Sequence, residues 1–288
     1  MTGFVRTTWL VALQSLRILL GSKKSLFFFG LSLLYAGVMA LVVFRFGDRE
    51  GVNELFSMLT LIIMVQALMP LTAMYLSISA IRDEISERSI VFLLSAPVPR
   101  PAIWLGKYLA ATVSSLVIIG VGFFLAAILS WNLQGDLRFG AQLQASTVSS
   151  FGIGLLVAPF AYCAIGSFFA LSFKRAMIWG AVFVFAWESF AGSTPAQSGV
   201  RSATVVDAIR SIAIKGSVAA TGFRREMADW ITGGRLWMDG MSPEAVIDKM
   251  VPSIPHSIWN VLLTALIYLG LALLIGSRKD YESGEQNG

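Results

Sequence analysis

The chain alternates between long apolar runs and short charged stretches, and the lengths of the apolar runs predict its elements. A helix needs about 20 apolar residues to cross the hydrocarbon layer of a membrane. Five runs reach that length: 25–44, 55–81, 108–130, 148–173 and 257–276. A sixth run, 176–190, is shorter, carries Glu188 and follows the fourth after only Lys174 and Arg175, so the chain must turn tightly there and cross back. The pattern predicts an all-α polytopic membrane protein with six transmembrane helices.

The segments outside these runs are also patterned as helices. The start of the chain is amphipathic up to the stop "GSKK", which predicts a helix lying along the membrane interface. In the connection between spans five and six, Val205, Ile209 and Ile212 fit one helical face, and Ser242 can cap a helix at "SPEAVIDKM". We expect short helices there, lying on or dipping into the outer leaflet. The predicted single membrane domain, 1–288, comprises an interfacial helix (1–24), spans one to five (25–190), an extracytoplasmic helical connection (191–256), span six (257–276) and a cytoplasmic tail (277–288).

The charges orient this arrangement and limit the classes of function. Hydrophobic residues make up 56% of the chain and charged residues 14%, with a net charge of +5. Because Lys and Arg at span ends mark the cytoplasmic side, both termini are predicted to be cytoplasmic. Lipid headgroups account for these scattered cations better than a nucleic acid does. The predicted inner side holds Arg6, Arg17, Lys23, Lys24, Arg82, Arg88, Arg100, Lys107, Lys174, Arg175, Arg278 and Lys279, whereas the short outer loops hold Arg45, Arg49 and Arg138.

The stretch "IRDEISERSIVFLLSAPVPRP" interrupts the apolar pattern between spans two and three. Its short apolar run cannot span a membrane, and Pro97, Pro99 and Pro101 would stop a helix and impose extended geometry. We interpret 81–107 as a stiff cytoplasmic elbow whose apolar run forms a helix packed under the membrane or against another protein. The alternative is an ordinary solvated loop.

The longer sequence "RDEISERSIVFLLSAPVPRPAIWLGKYLA" resembles the signature of type-two ABC transporter permeases, although 89–90 reads Ser-Ile where a Gly-Thr-like pair is expected. The pair Trp187 and Glu188 also resembles a feature of bacterial members, and within the family the chain is most similar to the NosY-like group. The resemblance implies a bacterial or archaeal cytoplasmic membrane protein that pairs with a second permease copy. It also implies an ABC ATPase dimer docked on the elbow and on the N-terminal helix. The residues implied to contact the ATPase are Asp83, Glu84, Glu87 and Arg88.

The chain has no "GxxxxGK[ST]" sequence, so we expect no cofactor here and expect ATP and Mg²⁺ on the partner ATPase. The outer connection is a candidate surface for an extracytoplasmic partner. Three residues are candidates for a gate or path. Gln66 and Pro70 lie inside span two, where they could line a path or kink the helix, or simply pack. Glu188 is either a functional acid within the membrane or, as we expect, an outer-interface residue that is hydrated or paired with a base such as Arg201.

Three classes of function can be compared. An ATP-driven exporter subunit fits the elbow and the resemblance. A secondary transporter would show ionisable residues at mid-membrane and paired broken helices. An intramembrane enzyme would need clustered acids or histidines, whereas His256 and Cys163 are single and far apart in sequence. The sequence therefore favours a transport subunit that is not itself an enzyme, with a secondary transporter as the alternative.

Overall fold

The computed structural model describes residues 2–86, 99–133, 143–188, 204–217, 221–232 and 242–278, and within these ranges the regular structure is helical throughout. π-helical turns occur in two places, Thr60–Leu68 and Phe183–Glu188. In chain order the helices are α1 (Thr2–Leu20), α2 (Lys23–Glu50), α3 (Val52–Ser86), α4 (Arg100–Leu133), α5 (Ala145–Ser172), α6 (Ala176–Glu188), α7 (Val205–Gly216), α8 (Thr221–Thr232), α9 (Pro243–Met250) and α10 (Ile254–Arg278).

Five of these helices are long and apolar enough to cross a membrane: α2, α3, α4, α5 and α10. Each helix covers one of the five long apolar runs of the sequence and extends beyond it at one end or both. The exception in coverage is a single residue, since α5 ends at Ser172 and the run ends at 173. The prediction of an all-α polytopic membrane protein is confirmed. The extra turns at the ends of α3 and α4 matter for function, because they extend the two spans into the predicted elbow.

Helix α1 is separate from the first span, as the "GSKK" stop predicts, since it ends at Leu20 and α2 begins at Lys23. It packs chiefly against the start of α4. The buried side chains of α1 are mostly small and recur at helical spacing, while larger apolar residues such as Trp9 and Leu10 are exposed. Small residues let two helix backbones approach closely. The buried residues are Thr8, Ala12, Ser15 and Leu19.

The spans approach one another closely where glycine and serine lie between them. A Cβ added at Gly122 of α4 would lie 1.9 Å from the Oγ of Ser32, and that hydroxyl donates a 2.8 Å hydrogen bond to the carbonyl of Ile118. Similarly, a Cβ at Gly166 of α5 would lie 3.0 Å from the Met74 carbonyl of α3. Such contacts replace the hydrophobic driving force that is missing between helices in lipid.

Helix α6 differs from the five candidate spans. Helix α6 is about 20 Å long at 1.5 Å per residue, which is short of a hydrocarbon layer of about 30 Å. Helix α7 runs antiparallel to α5, because Ile209 packs on Gly154 while Ser217 lies 3.2 Å from Ser150. It therefore continues in the direction of α6. Where the sequence predicts a sixth span over 176–190, the structure has the short apolar helix α6.

Helix α7 is buried on more sides than the sequence predicts. The sequence predicts one apolar face, but every side chain from Val205 to Ile214 is buried, including Asp207 and Arg210. Helix α9 begins as predicted, with Ser242 Oγ accepting a 3.3 Å hydrogen bond from the backbone N–H of Ala245. The connection thus contains one inserted helix and at least one ordinary capped helix.

Candidate functional site

Two ion pairs at the last turn of α3 hold the beginning of the predicted elbow. Asp83 accepts from the Nζ of Lys24 at 2.6 Å and from the Oγ of Ser79 at 2.9 Å. The Asp83 and Lys24 side chains are 43% and 39% exposed. An ion pair so open to water contributes little to stability. It does, however, bring the start of α2 against the end of α3.

The second ion pair joins Glu84 to Lys107 on α4 and is much less exposed. The Lys107 side chain is 0% exposed and that of Glu84 is 29% exposed. The ammonium group also donates a 2.9 Å hydrogen bond to the carbonyl of Ala80. A buried ammonium is tolerated only when it is paired and hydrogen-bonded. Lys107 therefore fixes the last turn of α3 to the second turn of α4.

The residue before this lysine makes a different close contact. A Cβ added at Gly106 would lie 2.9 Å from both the carbonyl of Thr8 and the Cβ of Val11. Only glycine lets α1 approach α4 this closely without a shift. The consecutive residues Gly106 and Lys107 thus connect α4 to two separate elements, α1 and the end of α3.

Two arginines join further helices to the same end of the bundle. Arg82 donates to the carbonyl of Lys174 in the turn between α5 and α6. Arg100 donates to the carbonyl of Ser277 at the end of α10, at 3.4 Å. Cations at helix C-termini satisfy carbonyls that lack a partner within the helix. We call this end of the bundle the basic end, defined by Lys24, Arg82, Arg100, Lys107 and Lys174.

Of the four residues implied to contact an ATPase, the structure describes two. Asp83 and Glu84 lie side by side at the basic end, and both are engaged by lysines of the same chain. Glu87 and Arg88 lie outside the described residues, as does the apolar run of the elbow. The sequence analysis did not identify Lys24 and Lys107 as the partners. The spacing of residues in a sequence does not indicate a pair formed between different helices. The adjacent Gly106 and Lys107 near the start of a span could have indicated a close contact there.

Gln66 and Pro70 lie in and just after the π-helical turns of α3. Proline has no backbone N–H, and its ring displaces the carbonyl four residues earlier, which here belongs to Gln66. The N–H of Met69 instead bonds to the carbonyl of Met64, five residues back. Pro70 is buried, while the Gln66 side chain is exposed on the surface of the single chain. Pro70 thus belongs to a helix irregularity, and Gln66 presents an amide on a surface otherwise suited to lipid.

Glu188 is buried within the bundle, so it is not the hydrated side chain that was one form of the expectation from the sequence. Its side chain is 3% exposed. One carboxylate oxygen accepts from the N–H of Val205 at 3.3 Å and the other from that of Val206 at 3.0 Å. Both N–H groups belong to the first turn of α7, where they have no acceptor within the helix and where the helix dipole is positive. The carboxylate at the end of α6 therefore caps the start of α7, and the proposed partner Arg201 lies outside the described residues.

The depth of Glu188 follows from its neighbours. The hydroxyl of buried Tyr162 lies beside the same carboxylate. It makes no hydrogen bond of normal geometry with any of the residues described. Tyr162 is about 15 Å along α5 from its end at Ser172 and about 26 Å from its start at Ala145. The cap thus lies well inside the bundle, where a carboxylate needs such donors to be stable.

Comparison with known families gives the class of the protein. A family model described as "ABC-2 family transporter protein" matches residues 3–278. No curated protein matches the chain significantly. The chain belongs to the ABC-2 family of transporter proteins, so it is a membrane permease subunit of an ABC transporter, a class that works with an ABC ATPase. The narrower similarity to the NosY-like group stays an expectation from the sequence.

Proposed function

We propose that this permease exports its substrate with energy from ATP, which is bound with Mg²⁺ and hydrolysed on separate ATPase subunits. The observation that supports this most directly is the fixing of the elbow to α4 through Glu84 and Lys107. A force applied to a flexible loop would be absorbed there, whereas a buried ion pair moves two helices together. Export is the direction implied by the resemblance of the elbow sequence.

The ATPase contact is proposed with a division of roles within the elbow. Asp83 and Glu84 already bind lysines of the same chain, so they hold the elbow in place. Glu87 and Arg88 follow them in sequence and carry charges suited to a partner surface. We assign the ATPase contact mainly to Glu87 and Arg88, with α1 as the second docking element.

The proposed membrane orientation puts the basic end in the cytoplasm. The lysines and arginines of this end are the ones that retention of cations on the inner side would leave there. Helix α1 and the last turn of α10 lie at this end, because α1 contacts Gly106 and Ser277 contacts Arg100. Both termini are then cytoplasmic, and the membrane is the cytoplasmic membrane of a bacterium or archaeon.

A second copy of the permease is proposed as the partner within the membrane. The exposed amide of Gln66 lies in α3, the second span, where contact with lipid alone would leave it without hydrogen bonds at a cost of several kcal/mol. A facing copy, or a polar path between two copies, removes that cost. Gln66 is the residue we place nearest that path.

A secondary transporter is the alternative that one observation favours. Such proteins place ionisable groups at broken helices near the membrane midplane, and Glu188 lies between α6 and α7 in this way. Here, however, the helix start is filled by the chain's own carboxylate rather than left for a substrate. Family membership also indicates a transporter driven by an ATPase, so we retain the first proposal.

The proposal is tested by asking which polypeptide binds the nucleotide. The permease is purified from native membranes in mild detergent, and the preparation is irradiated with a photoreactive ATP analogue. We expect the label on a co-purifying polypeptide and none on the permease. ATP hydrolysis in a preparation that contains only the permease would contradict the proposal, as would a folded permease with no labelled partner.

A further inference from the structure

We infer that α4 is the helix that receives motion from the ATPase, and that Gly106 and Lys107 are the positioning residues through which it does so. This inference rests on the proposed function. It goes further by naming one span and two consecutive residues as the mechanical link.

The first step is that both proposed docking elements converge on one turn of α4. Helix α1 rests on Gly106, where a Cβ would approach the Thr8 carbonyl to 2.9 Å. The elbow end of α3 is bound to the next residue, Lys107, through Glu84 and the Ala80 carbonyl. A displacement of either element therefore acts on the same point of α4.

The second step is that the two contacts resist displacement in different ways. At Gly106 the α4 backbone lies against the Thr8 carbonyl and the Val11 side chain, so α1 cannot move closer to α4 without pushing it. The contact at Lys107 is a charge pair with one partner fully buried, and opening it would leave an uncompensated charge in a water-poor environment. Together they make the start of α4 rigid with respect to both α1 and the elbow.

The third step is that α4 is suited to carry this motion across the membrane. It runs from Arg100 to Leu133 without a π-helical turn or an internal proline after Pro101. Helix α3, by contrast, is interrupted by the π-helical turns at Thr60–Leu68. A continuous helix transmits a displacement along its axis, whereas an irregular one bends. The far end of α4 should therefore move when the ATPase closes.

The experiment measures the far end of α4 in the intact complex. Asn132 is exposed at that end, and Cys163 is the chain's one cysteine and fully buried, so Asn132→Cys provides one accessible thiol. The complex with its co-purified ATPase is reconstituted in proteoliposomes. The rate of alkylation by a membrane-impermeant maleimide is measured without nucleotide and after trapping with ATP and vanadate. We expect trapping to change this rate.

Variants then test the link. Gly106→Ala adds one methyl group and displaces α1 from α4, Glu84→Gln removes one charge of the pair while keeping the side chain's shape, and Lys107→Met removes the buried charge. Residues along a coupling route alter coupling by about twofold to thirtyfold, so we expect these variants to lose that much of the nucleotide-dependent change while still binding the ATPase. The matched control is Gly120→Ala on the same helix, where an added Cβ meets nothing within 4 Å. It should retain the full change.

The outcomes separate this inference from the proposed function. If no ATPase co-purifies, the proposed function itself fails. If the ATPase binds and hydrolyses ATP but trapping leaves the alkylation rate at position 132 unchanged, the assignment of α4 is wrong. The same conclusion follows if Gly106→Ala and Glu84→Gln both behave like Gly120→Ala. If Lys107→Met does not assemble, Gly106→Ala and Glu84→Gln decide whether α4 receives the motion through this link.

Discussion

The carboxylate of Glu188 accepts a hydrogen bond from the backbone N–H of Val206 at 3.0 Å, and this bond joins the end of α6 to the start of α7 inside the bundle. A second bond from Val205 completes the cap. The side chain of Glu188 thus joins the two short helices within the bundle.

We predict that removing this cap destabilises the protein. Glu188→Leu leaves two buried N–H groups without an acceptor, which should cost about 1–3 kcal/mol for each group left unpaired. Glu188→Gln keeps one acceptor oxygen, so its cost should be smaller, with assembly intact and transport impaired. Thermal unfolding in detergent measures the first effect. Glu54→Leu is the control, since Glu54 accepts from the N–H of Gly222 at 3.4 Å in an exposed position. An equal melting temperature for Glu188→Leu and wild type would contradict the capping role.

The two lysines of the basic end should differ strongly in their contribution to stability. Lys107→Met removes the buried ammonium that pairs with Glu84, and breaking a buried pair costs about 3–5 kcal/mol, reduced here because Glu84 is partly exposed. Lys24→Met breaks an exposed pair, which should cost about 0–1 kcal/mol. Melting temperatures of the two variants in the same detergent test this order. The reverse order would show that the buried pair is not a structural link.

The sequence alone predicts the membrane spans better than it predicts the surroundings of Glu188 and α7. Long apolar runs determine five spans, because length and hydropathy are sufficient when lipid is the solvent. The burial of Glu188 was not predictable, since the sequence places it near the end of an apolar run but does not show that the start of α7 packs against it. The burial of α7 was missed for a related reason. Asp207 and Arg210 look like surface residues, yet both are buried among other helices.

At the basic end the sequence predicts the charged residues but not their partners. The sequence indicates that the elbow is charged and stiff, and the resemblance implies contact with an ATPase. It does not indicate that Asp83 and Glu84 already have partners, because Lys24 and Lys107 come from helices that are distant in sequence. Only the packing of α2, α3 and α4 brings these four residues together.

The docking proposal predicts an effect of charge reversal at Glu87. Glu87→Lys should lower co-purification of the ATPase while the permease still inserts and folds, because Glu84 and its pairing with Lys107 are untouched. Glu84→Lys is the informative comparison. It would bring a second ammonium to buried Lys107 and should lower the melting temperature as well. Co-purification of the ATPase at the wild-type level with Glu87→Lys would count against this residue as a contact.

The proposed second copy predicts a specific cross-link. With Cys163 buried, Gln66→Cys places an accessible thiol in the middle of α3, and oxidation in the membrane should give a disulfide-linked dimer that a reducing agent reverses. Leu266→Cys on α10 is the control, since that side chain is 63% exposed but is not assigned to the path. Equal cross-linking at both positions, or none at position 66, would remove Gln66 from the interface between copies.

The most direct test of the central claim is the composition of the native complex. The chain is purified from its own membranes in mild detergent, and the intact assembly is weighed by native mass spectrometry alongside a measurement of ATP hydrolysis. We predict two copies of this permease bound to two ATPase subunits, with hydrolysis that depends on the ATPase. A stable, folded preparation that contains the permease without an ATPase would contradict the account and favour the secondary transporter.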